Sequence, residues 1–337
     1  MTSDQQSATA SERPRVFVTR ELPGGEIPGG PLARLRAVAE VDVWEAAAPP
    51  SAAHLRARAA DCDGLLAMLT ERVDAALLDA CSRLRVVANM AAGSDNIDVT
   101  ACTARGVLVT NTPGVLTDAT AELTFALLLA AARRLSEGER AVRSGAVGPW
   151  HPTWLLGHTV TGATLGIVGP GRIGATVARR AQGFGMRILY HGRREVPGFP
   201  GAYAGLDDLL TQSDFVSMHV PLTPETEGMC DAGFFARMQP HAIFVNTTRG
   251  GVVDQPALIR ALGAGVIAGA ALDVTTPEPL PAGDPLLAAP HLTIAPHLGS
   301  ATGETRLRMA HLAVEGLLAA LAGLPPAHLV NPEALSA

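Results

Sequence analysis

The stretch Thr164-Leu-Gly-Ile-Val-Gly-Pro-Gly-Arg-Ile-Gly174 decides the expected fold. Gly169, Gly171 and Gly174 stand in the spacing GxGxxG, after a short apolar run and before a helical pattern. The first glycine of such a turn allows a tight bend, the second lets the backbone approach a diphosphate, and the third allows the helix to pack closely on the strand. The unpaired N–H groups at the start of the helix then bind the diphosphate. The stretch therefore predicts a dinucleotide-binding turn.

Short apolar runs alternate with helical patterns on both sides of this turn. Such alternation requires crossover connections and parallel sheets, and 337 residues suffice for two domains. We expect an α/β protein with two doubly wound parallel-sheet domains, Rossmann-like or flavodoxin-like, and a cleft between them. The predicted strands are Arg15–Thr19, Gly64–Leu69, Arg85–Asn89, Val107–Thr110, Thr164–Val168, Arg187–Tyr190, Phe215–Val220, Ile243–Asn246, Ile267–Ala270 and Leu292–Ile294.

The domain boundary is expected after Asn111-Thr-Pro-Gly, which closes the first series of strands. A single long helix is predicted from Thr120 to Arg140, and a loop rich in Gly and Trp leads into the second series. The last helix, predicted at Glu304–Leu321, is expected to pack on the first domain and to make it discontinuous. The resulting division is a disordered tail at 1–13, one domain at 14–111 plus 299–337, and a second domain at 112–298.

Composition excludes several classes of function. The chain contains no lysine, so all 26 basic residues are arginine, and chemistry that needs a P-loop or Schiff-base lysine is excluded. A net charge of -6 with only 4% aromatic residues argues against nucleic-acid binding. The longest apolar stretch, Leu123–Ala132, is too short for a membrane span. Four cysteines without a CxxC pair indicate free thiols, no metal site and a cytoplasmic location.

The residues after Arg187–Tyr190 predict which dinucleotide binds. An NAD-specific site carries Asp or Glu about 20 residues after the glycines, where it binds the ribose 2′-hydroxyl. Here Gly192, Arg193 and Arg194 precede the first acid, Glu195. Because arginine suits a 2′-phosphate, we expect NADP(H) to be preferred, with NAD(H) as the alternative cofactor. The competing interpretation is that both arginines belong to a solvated loop.

Three polar residues follow predicted strands, at the edge where parallel sheets bind their ligands. They are Arg249, Glu278 and His297. Arginine binds a carboxylate with two hydrogen bonds and polarises the neighbouring carbonyl, histidine donates a proton, and glutamate keeps that histidine charged and oriented. Each residue taken singly is more simply a surface or structural residue. Their shared position after a dinucleotide turn favours reduction of a 2-oxo acid.

Several motifs give the chain a resemblance to the D-isomer-specific 2-hydroxyacid dehydrogenases, and within them to the glyoxylate/hydroxypyruvate reductases. The motifs of the family are Asn89-Met-Ala-Ala-Gly-Ser-Asp-Asn-Ile-Asp98, the glycine turn, Asn246-Thr-Thr-Arg-Gly-Gly-Val-Val-Asp254, Asp273-Val-Thr-Thr-Pro-Glu-Pro279 and Pro296-His-Leu-Gly-Ser-Ala-Thr302. The match to the reductases rests on 109–123, Trp150-His-Pro-Thr-Trp154 and Gly192-Arg193. The resemblance covers nearly all of the chain after residue 14. It implies NADPH-dependent reduction of glyoxylate to glycolate or of hydroxypyruvate to D-glycerate. The alternatives are phosphoglycerate or phosphite oxidation, and a non-catalytic NAD(P)-sensing protein.

The resemblance also implies site residues. It makes Arg249, Glu278 and His297 the catalytic set, and it assigns the substrate carboxylate to backbone N–H groups near Ala92 and Gly93. Substrate binding falls to the first domain and cofactor binding to the second, which includes a dimerisation helix and loop at 120–157. A homodimer is implied, in which Trp154, or else Trp150, reaches the neighbouring active site; simple interface burial is the competing role for both. The remaining cofactor residues are Arg172, Ile173, Val220, Pro221, Thr226, Thr247, Thr248, Asp273 and Gly299.

Overall fold

The computed structural model describes residues 13–25 and 27–336. The predicted tail lies outside the described residues except for Arg13, whose guanidinium donates to the carbonyl of Ala39 at 3.1 Å. The chain divides into two compact units. The first runs up to Val115 and resumes at Gly303, and the second is Leu116–Thr302.

The first unit is built on a five-stranded sheet in the order β2-β1-β3-β4-β5, with every neighbouring pair parallel. This is the 2-1-3-4-5 order of flavodoxin-like folds. Its strands are β1 (Arg15–Val18), β2 (Glu40–Val43), β3 (Gly64–Ala67), β4 (Val86–Asn89) and β5 (Leu108–Thr110), and its helices are α1 (Pro31–Val38), α2 (Ala52–Ala59), α3 (Ala75–Ala80), α4 (Val99–Ala104) and α11 (Gly303–Leu321).

Both faces of this sheet are covered. Phe17, Leu65, Val87 and Val109 stand in register on four adjacent strands and are fully buried in one core cluster with residues of α2, α3 and α4. On the other side α11 packs closely, since a Cβ on Gly64 would meet a Leu317 methyl at 3.0 Å. The near-continuous apolar strands follow from burial on both faces.

The second unit carries a seven-stranded, wholly parallel sheet in the order β12-β11-β10-β9-β6-β7-β8. The order reverses between β6 and β9, which is the switch point of a Rossmann fold. Its strands are β6 (Thr164–Val168), β7 (Arg187–His191), β8 (Ala202–Tyr203), β9 (Phe215–Met218), β10 (Ile243–Asn246), β11 (Gly269–Leu272) and β12 (Leu292–Ile294), and its helices are α5 (Thr117–Ala132), α6 (Leu135–Arg143), α7 (Arg172–Gln182), α8 (Leu206–Gln212), α9 (Ala232–Arg237) and α10 (Gln255–Gly263).

The predicted fold class, two doubly wound parallel sheets, is confirmed, but three details of the prediction are wrong. The single helix expected at 120–140 is broken, because Arg134 takes a left-handed conformation (φ 53°) between α5 and α6. The strand expected at Ile267–Ala270 lies two residues later, in register with β10. Two edge strands, β2 and β8, were missed because their residues are half-buried or exposed and lack an apolar run.

Two expectations from composition can be compared with the structure. All four cysteines are free thiols and are buried, and burial raises the pKa of Cys81 and of Cys102 to about 11. Leu123–Ala132 lies inside α5. None of the helices in the described part of the chain is long and apolar enough to cross a membrane.

Candidate active site

The glycine turn lies between β6 and α7, and its glycines are required by close contacts. Gly169 has a φ of 104°, and a Cβ there would lie 2.5 Å from the backbone carbonyl carbon of His219. A Cβ on Gly174 would lie 2.4 Å from the carbonyl oxygen of Gly169. A Cβ on Gly171, where α7 begins, would meet no atom within 4 Å. The turn is therefore closely packed at Gly169 and Gly174 and open at Gly171, where a diphosphate needs access to the backbone.

Arg172 and Ile173 form the first turn of α7, where backbone N–H groups have no partner within the helix. Arg193 and Arg194 lie in the bend after β7 and are exposed. Neither guanidinium forms an ion pair with any residue in 13–25 or 27–336. Gly192 is needed here, because a Cβ on it would meet the Pro170 ring at 2.7 Å. The two exposed arginines lie beside a tightly packed turn.

His297 and Glu278 lie on the loops after β12 and β11, and their side chains are hydrogen-bonded. His297 Nδ1 and Glu278 Oε1 are 2.6 Å apart. This bond fixes the tautomer and the ring orientation, because Nδ1 must carry a proton to donate to a carboxylate. The other ring nitrogen, Nε2, remains as the atom that can transfer a proton. His297 takes a left-handed conformation with φ of 55°.

Asp273, directly after β11, holds the His297 turn in that conformation. Its carboxylate accepts the N–H of Leu298 at 2.6 Å and of Gly299 at 2.8 Å, and its carbonyl accepts the N–H of His297 at 2.8 Å. The Asp273 side chain is 1% exposed, and burial raises its pKa. A buried carboxylate thus fixes the backbone on which the proposed proton donor stands.

Arg249 lies on the loop after β10, beside the loop that carries Glu278. Asn246 Nδ2 donates to the Arg249 carbonyl at 2.9 Å, and its Oδ1 accepts the N–H and hydroxyl of Thr248. A Cβ on Gly250 would lie 2.0 Å from the carbonyl oxygen of Thr275, so the two loops touch at this glycine. The structure therefore brings the loops of Arg249, Glu278 and His297 to the carboxyl ends of three adjacent strands.

Sequence reasoning missed two threonines of α5 that support these loops. Thr124 Oγ1 lies 3.0 Å from Thr247 Oγ1, and Thr120 Oγ1 donates to the carbonyl of Gly299 at 3.1 Å. Both are buried. The available signal was the i, i+4 spacing of these two threonines, which places them on one face of the helix.

The turn after β9 contains Val220, Pro221 and Thr226. The Thr226 hydroxyl donates to the Pro221 carbonyl at 2.6 Å and accepts the N–H of Thr223 at 2.8 Å. His219 precedes this turn, and its backbone packs against Gly169 of the glycine turn. Its Nε2 lies 2.9 Å from the Ser217 hydroxyl, while its Nδ1 is buried without a partner among the described residues. Burial lowers the pKa of His219 to about 3.

The predicted substrate residues Ala92 and Gly93 belong to the first unit, on the loop after β4. Asn111 Nδ2 donates to the carbonyl of Ala92 at 2.7 Å, and Asn89 Nδ2 donates to that of Gly93 at 2.9 Å. Both residues are half-buried.

Trp150 and Trp154 lie between α6 and β6 and are exposed, at 86% and 48%. In the part of the chain that the structure describes, no group of three or more His, Cys, Asp and Glu side chains is arranged to hold a metal ion.

The strand order of the second unit and its glycine turn at the switch point define a dinucleotide-binding protein. A family model described as D-isomer specific 2-hydroxyacid dehydrogenase, NAD binding domain, matches residues 125–299. The chain belongs to this family, and it is an NAD(P)-dependent oxidoreductase.

Individual relatives also support membership of this family. A glyoxylate reductase of Korarchaeum cryptofilum is 51% identical over 326 residues, 95% of this chain and 97% of that protein. A solved structure from Thermus thermophilus is 48% identical with a TM-score of 0.88, and covers 94% of this chain and 99% of its own. The NADPH-dependent glyoxylate/hydroxypyruvate reductase of Sinorhizobium meliloti, in complex with NADP and malonate, is 33% identical with a TM-score of 0.83, and covers 96% of this chain and 98% of its own.

Proposed function

We propose that the protein reduces a small 2-oxo acid with NADPH, converting glyoxylate to glycolate or hydroxypyruvate to D-glycerate. The 2-oxo acid gains one hydride at its carbonyl carbon and one proton at its carbonyl oxygen, and NADPH becomes NADP+. The observation that carries the proposal is the 2.6 Å bond between His297 Nδ1 and Glu278 Oε1, on loops at the carboxyl edge of the dinucleotide-binding sheet.

Each site residue has a proposed role that follows from its chemistry. The nicotinamide, when bound, supplies the hydride. His297 Nε2 donates the proton to the carbonyl oxygen, and the Glu278 carboxylate stabilises the imidazolium through a charge-assisted bond. Arg249 binds the substrate carboxylate and polarises the carbonyl. A role in substrate binding is also proposed for the backbone N–H groups of Ala92 and Gly93.

Cofactor binding is assigned to the second unit. The diphosphate is assigned to the turn of Gly169, Gly171 and Gly174 and to the N–H groups of Arg172 and Ile173. The remaining contacts are assigned to Gly192, Val220, Pro221, Thr226, Thr247, Thr248, Asp273 and Gly299. Arg193 and Arg194 are exposed and form no direct ion pair with the described residues, although Arg193 interacts electrostatically with Glu225. The two arginines favour the 2′-phosphate of NADP(H) over the 2′-hydroxyl of NAD(H).

A homodimer is part of the proposal, formed by 120–157. The support is a run of exposed apolar side chains in and after α6. They are Leu135, Val142, Val147, Trp150, Trp154 and Leu156. So many in one segment are typical of a protein interface. Trp154 is the residue proposed to reach the neighbouring active site. Four buried free thiols support a cytoplasmic location.

The direct test mixes the full chain with NADPH or NADH and follows absorbance at the nicotinamide band. The substrate panel contains glyoxylate, hydroxypyruvate and pyruvate, with 3-phosphoglycerate and phosphite in the oxidative direction. We expect NADPH oxidation with glyoxylate or hydroxypyruvate. If no 2-oxo acid is reduced with either cofactor, the proposed function is wrong.

A further inference from the structure

Glu278 lies in an exposed loop between β11 and β12, at residues 276–284, which we call the Glu278 loop. From residue 276 to residue 283 every residue except Leu280 is exposed. Every second residue at its start is a proline, at 277, 279 and 281, and a proline has no backbone N–H to donate. Because burial and backbone donors are both scarce here, other contacts are needed to hold the Glu278 carboxylate in one place.

The side-chain amide of Gln255 bonds to both ends of this loop. Its Oε1 accepts the N–H of Thr276 at 3.2 Å, and its Nε2 donates to Asp284 Oδ1 at 3.4 Å. A backbone N–H can only donate and a carboxylate can only accept, so the two partners fix the orientation of the amide. One side chain therefore joins the beginning of the loop to its end.

Gln255 reaches the loop from a rigid part of the second unit, because it is the first residue of α10. The residue before it, Asp254, caps this helix by accepting the N–H of Ala257 at 3.0 Å. Ala257 and Leu258 are buried in the core cluster of the second unit. The backbone that carries the Gln255 amide is thus fixed by capping and by packing.

The far end of the loop is fixed in the same core. Asp284 Oδ1 also accepts the N–H of Leu286 at 2.9 Å, which begins the short 3-10 helix Pro285–Ala288. Leu286 is fully buried in the cluster that contains Leu258. Gln255 therefore connects two core-anchored points, and the exposed residues between Thr276 and Asp284 carry Glu278.

We propose that Gln255 is a positioning residue for proton transfer, and that it closes the Glu278 loop so that the Glu278 carboxylate stays 2.6 Å from His297 Nδ1. This inference rests on the proposed function, because His297 is proposed as the proton donor. The two bonds of Gln255 go to Thr276 and Asp284, so it acts through the loop and not on the reacting atoms.

The first test is Gln255→Met in the full chain, because methionine keeps the length of the side chain and removes both hydrogen bonds. The kcat for glyoxylate with NADPH should fall about tenfold to hundredfold, as expected when a reacting group is misplaced by about 1 Å. The KM for glyoxylate and the Kd for NADPH should change little, because Gln255 is proposed to contact neither molecule. A wild-type kcat in this variant would overturn the inference.

A double-mutant cycle with Glu278→Gln separates positioning from a general structural role. Glu278→Gln removes the charge that Gln255 is proposed to hold, so adding Gln255→Met to it should lower kcat no further. Loss of the same factor in both backgrounds would mean that Gln255 acts independently of Glu278, and the inference would be wrong.

The matched control is Gln212→Met. Gln212 is the last residue of α8 in the same unit, and its Oε1 accepts a hydrogen bond from Arg187 Nη2 at 2.6 Å. Arg187 begins β7, at the opposite end of the sheet from Glu278. This variant should keep the wild-type kcat, and equal losses of kcat in the two glutamine variants would contradict the proposed role.

A measurement without substrate tests the same inference independently of turnover. In ¹⁵N spectra taken where the ring is neutral, His297 should carry its proton on Nδ1, because Glu278 accepts that proton. In Gln255→Met the proton should divide between the two ring nitrogens, and an unchanged tautomer overturns the inference. A changed tautomer in a protein that reduces no 2-oxo acid upholds the positioning role and refutes only the proposed activity. An active enzyme whose Gln255→Met variant keeps its kcat refutes only the role of Gln255.

Discussion

The carboxyl edges of the two sheets are organised in opposite ways. In the first unit the loop after β4 presents backbone N–H groups, and buried side chains such as Asn89 and Asn111 hold that backbone. In the second unit the loops after β10, β11 and β12 present side chains. There the backbone itself is held, for example by the buried carboxylate of Asp273 under the His297 turn.

This difference follows from the chemistry proposed for each edge. An anion can be bound by N–H groups, which every residue but proline possesses, so the side chains of that loop can be small. Proton transfer needs a side chain that ionises, and its supports must then fix the backbone of that residue. Substitutions at the second edge should therefore impair proton transfer, and substitutions at the first edge should weaken anion binding.

The largest effect is expected from His297→Ala, which removes the proposed proton donor. The kcat for glyoxylate should fall roughly 10²–10⁴-fold, the usual contribution of general acid catalysis. The Kd for NADPH, measured by quenching or enhancement of its fluorescence, should change little. This outcome would show that the second edge acts through a side chain.

The matched control is His291→Ala. His291 belongs to the same unit and has nearly the same left-handed conformation, with φ of 53° against 55° for His297. It precedes β12, at the other end of the strand, and contacts Glu137. Its variant should keep near wild-type kcat. Equal losses in both variants would mean that strain in the backbone, and not proton transfer, explains the result.

A smaller effect is expected from Arg193→Ala. Loss of a charge-assisted bond to the 2′-phosphate should raise the Kd for NADPH by roughly 10–100-fold, from about 1.5–3 kcal/mol. The Kd for NADH should stay within a factor of about two. Arg187→Ala is the control, because this exposed arginine stands at the opposite end of β7 and donates to Gln212. Equal weakening of both cofactors by Arg193→Ala would remove the case for NADP(H).

The fold was largely predictable because most of its strands are buried on both faces and read as apolar runs. The failures have local causes. The break between α5 and α6 depends on the left-handed conformation of Arg134. An arginine at that position does not predict such a conformation. Strand β2 (Glu40–Val43) lies at a sheet edge with no fully buried residue, so neither a continuous apolar run nor a clean alternation marks it.

The two edges differ in how much of each site could be predicted. Arg249, Glu278 and His297 ionise and follow apolar strands, so residue type and position were enough to propose them as candidate site residues. Ala92 and Gly93 have no functional side chain, and only the resemblance pointed to them. The supports, such as Asp273 under His297 or Asn111 behind Ala92, depend on contacts between distant segments, which a single sequence does not reveal.

A buried support of the second edge should also make stability depend on pH. His219 has its pKa lowered to about 3 by burial, against about 6.5 in an unfolded chain. As the pH falls, His219 takes up a proton in the unfolded state before it does so in the folded state. Its contribution to the free energy of unfolding is therefore complete above pH 6.5 and is lost as the pH falls towards 3. The free energy of unfolding should decrease by about 1.4 kcal/mol per pH unit between roughly pH 6 and 4 because of this group.

Urea unfolding at several pH values measures this dependence, and His219→Asn is the comparison because asparagine does not titrate. The variant's free energy of unfolding should fall less steeply over the same range, whatever its absolute stability. Parallel curves for the two proteins would show that His219 is not buried as a neutral group.

The smallest effect is expected where the helix α5 supports the second edge. Thr124→Val removes the hydroxyl that lies 3.0 Å from Thr247 Oγ1, and one neutral hydrogen bond contributes about 0.5–1.5 kcal/mol. Because Thr247 is proposed to lie near the nicotinamide ribose, the Kd for NADPH should rise about twofold to tenfold, and Thr124→Ser should restore it. Thr211→Val, at a helix threonine that only donates within α8, should leave the Kd unchanged. If Thr124→Val binds NADPH as tightly as the wild type while Thr124→Ser binds it weakly, the methyl group and not the hydroxyl of Thr124 supports the loop, and the second edge then depends on apolar packing where the comparison assigns it a polar support.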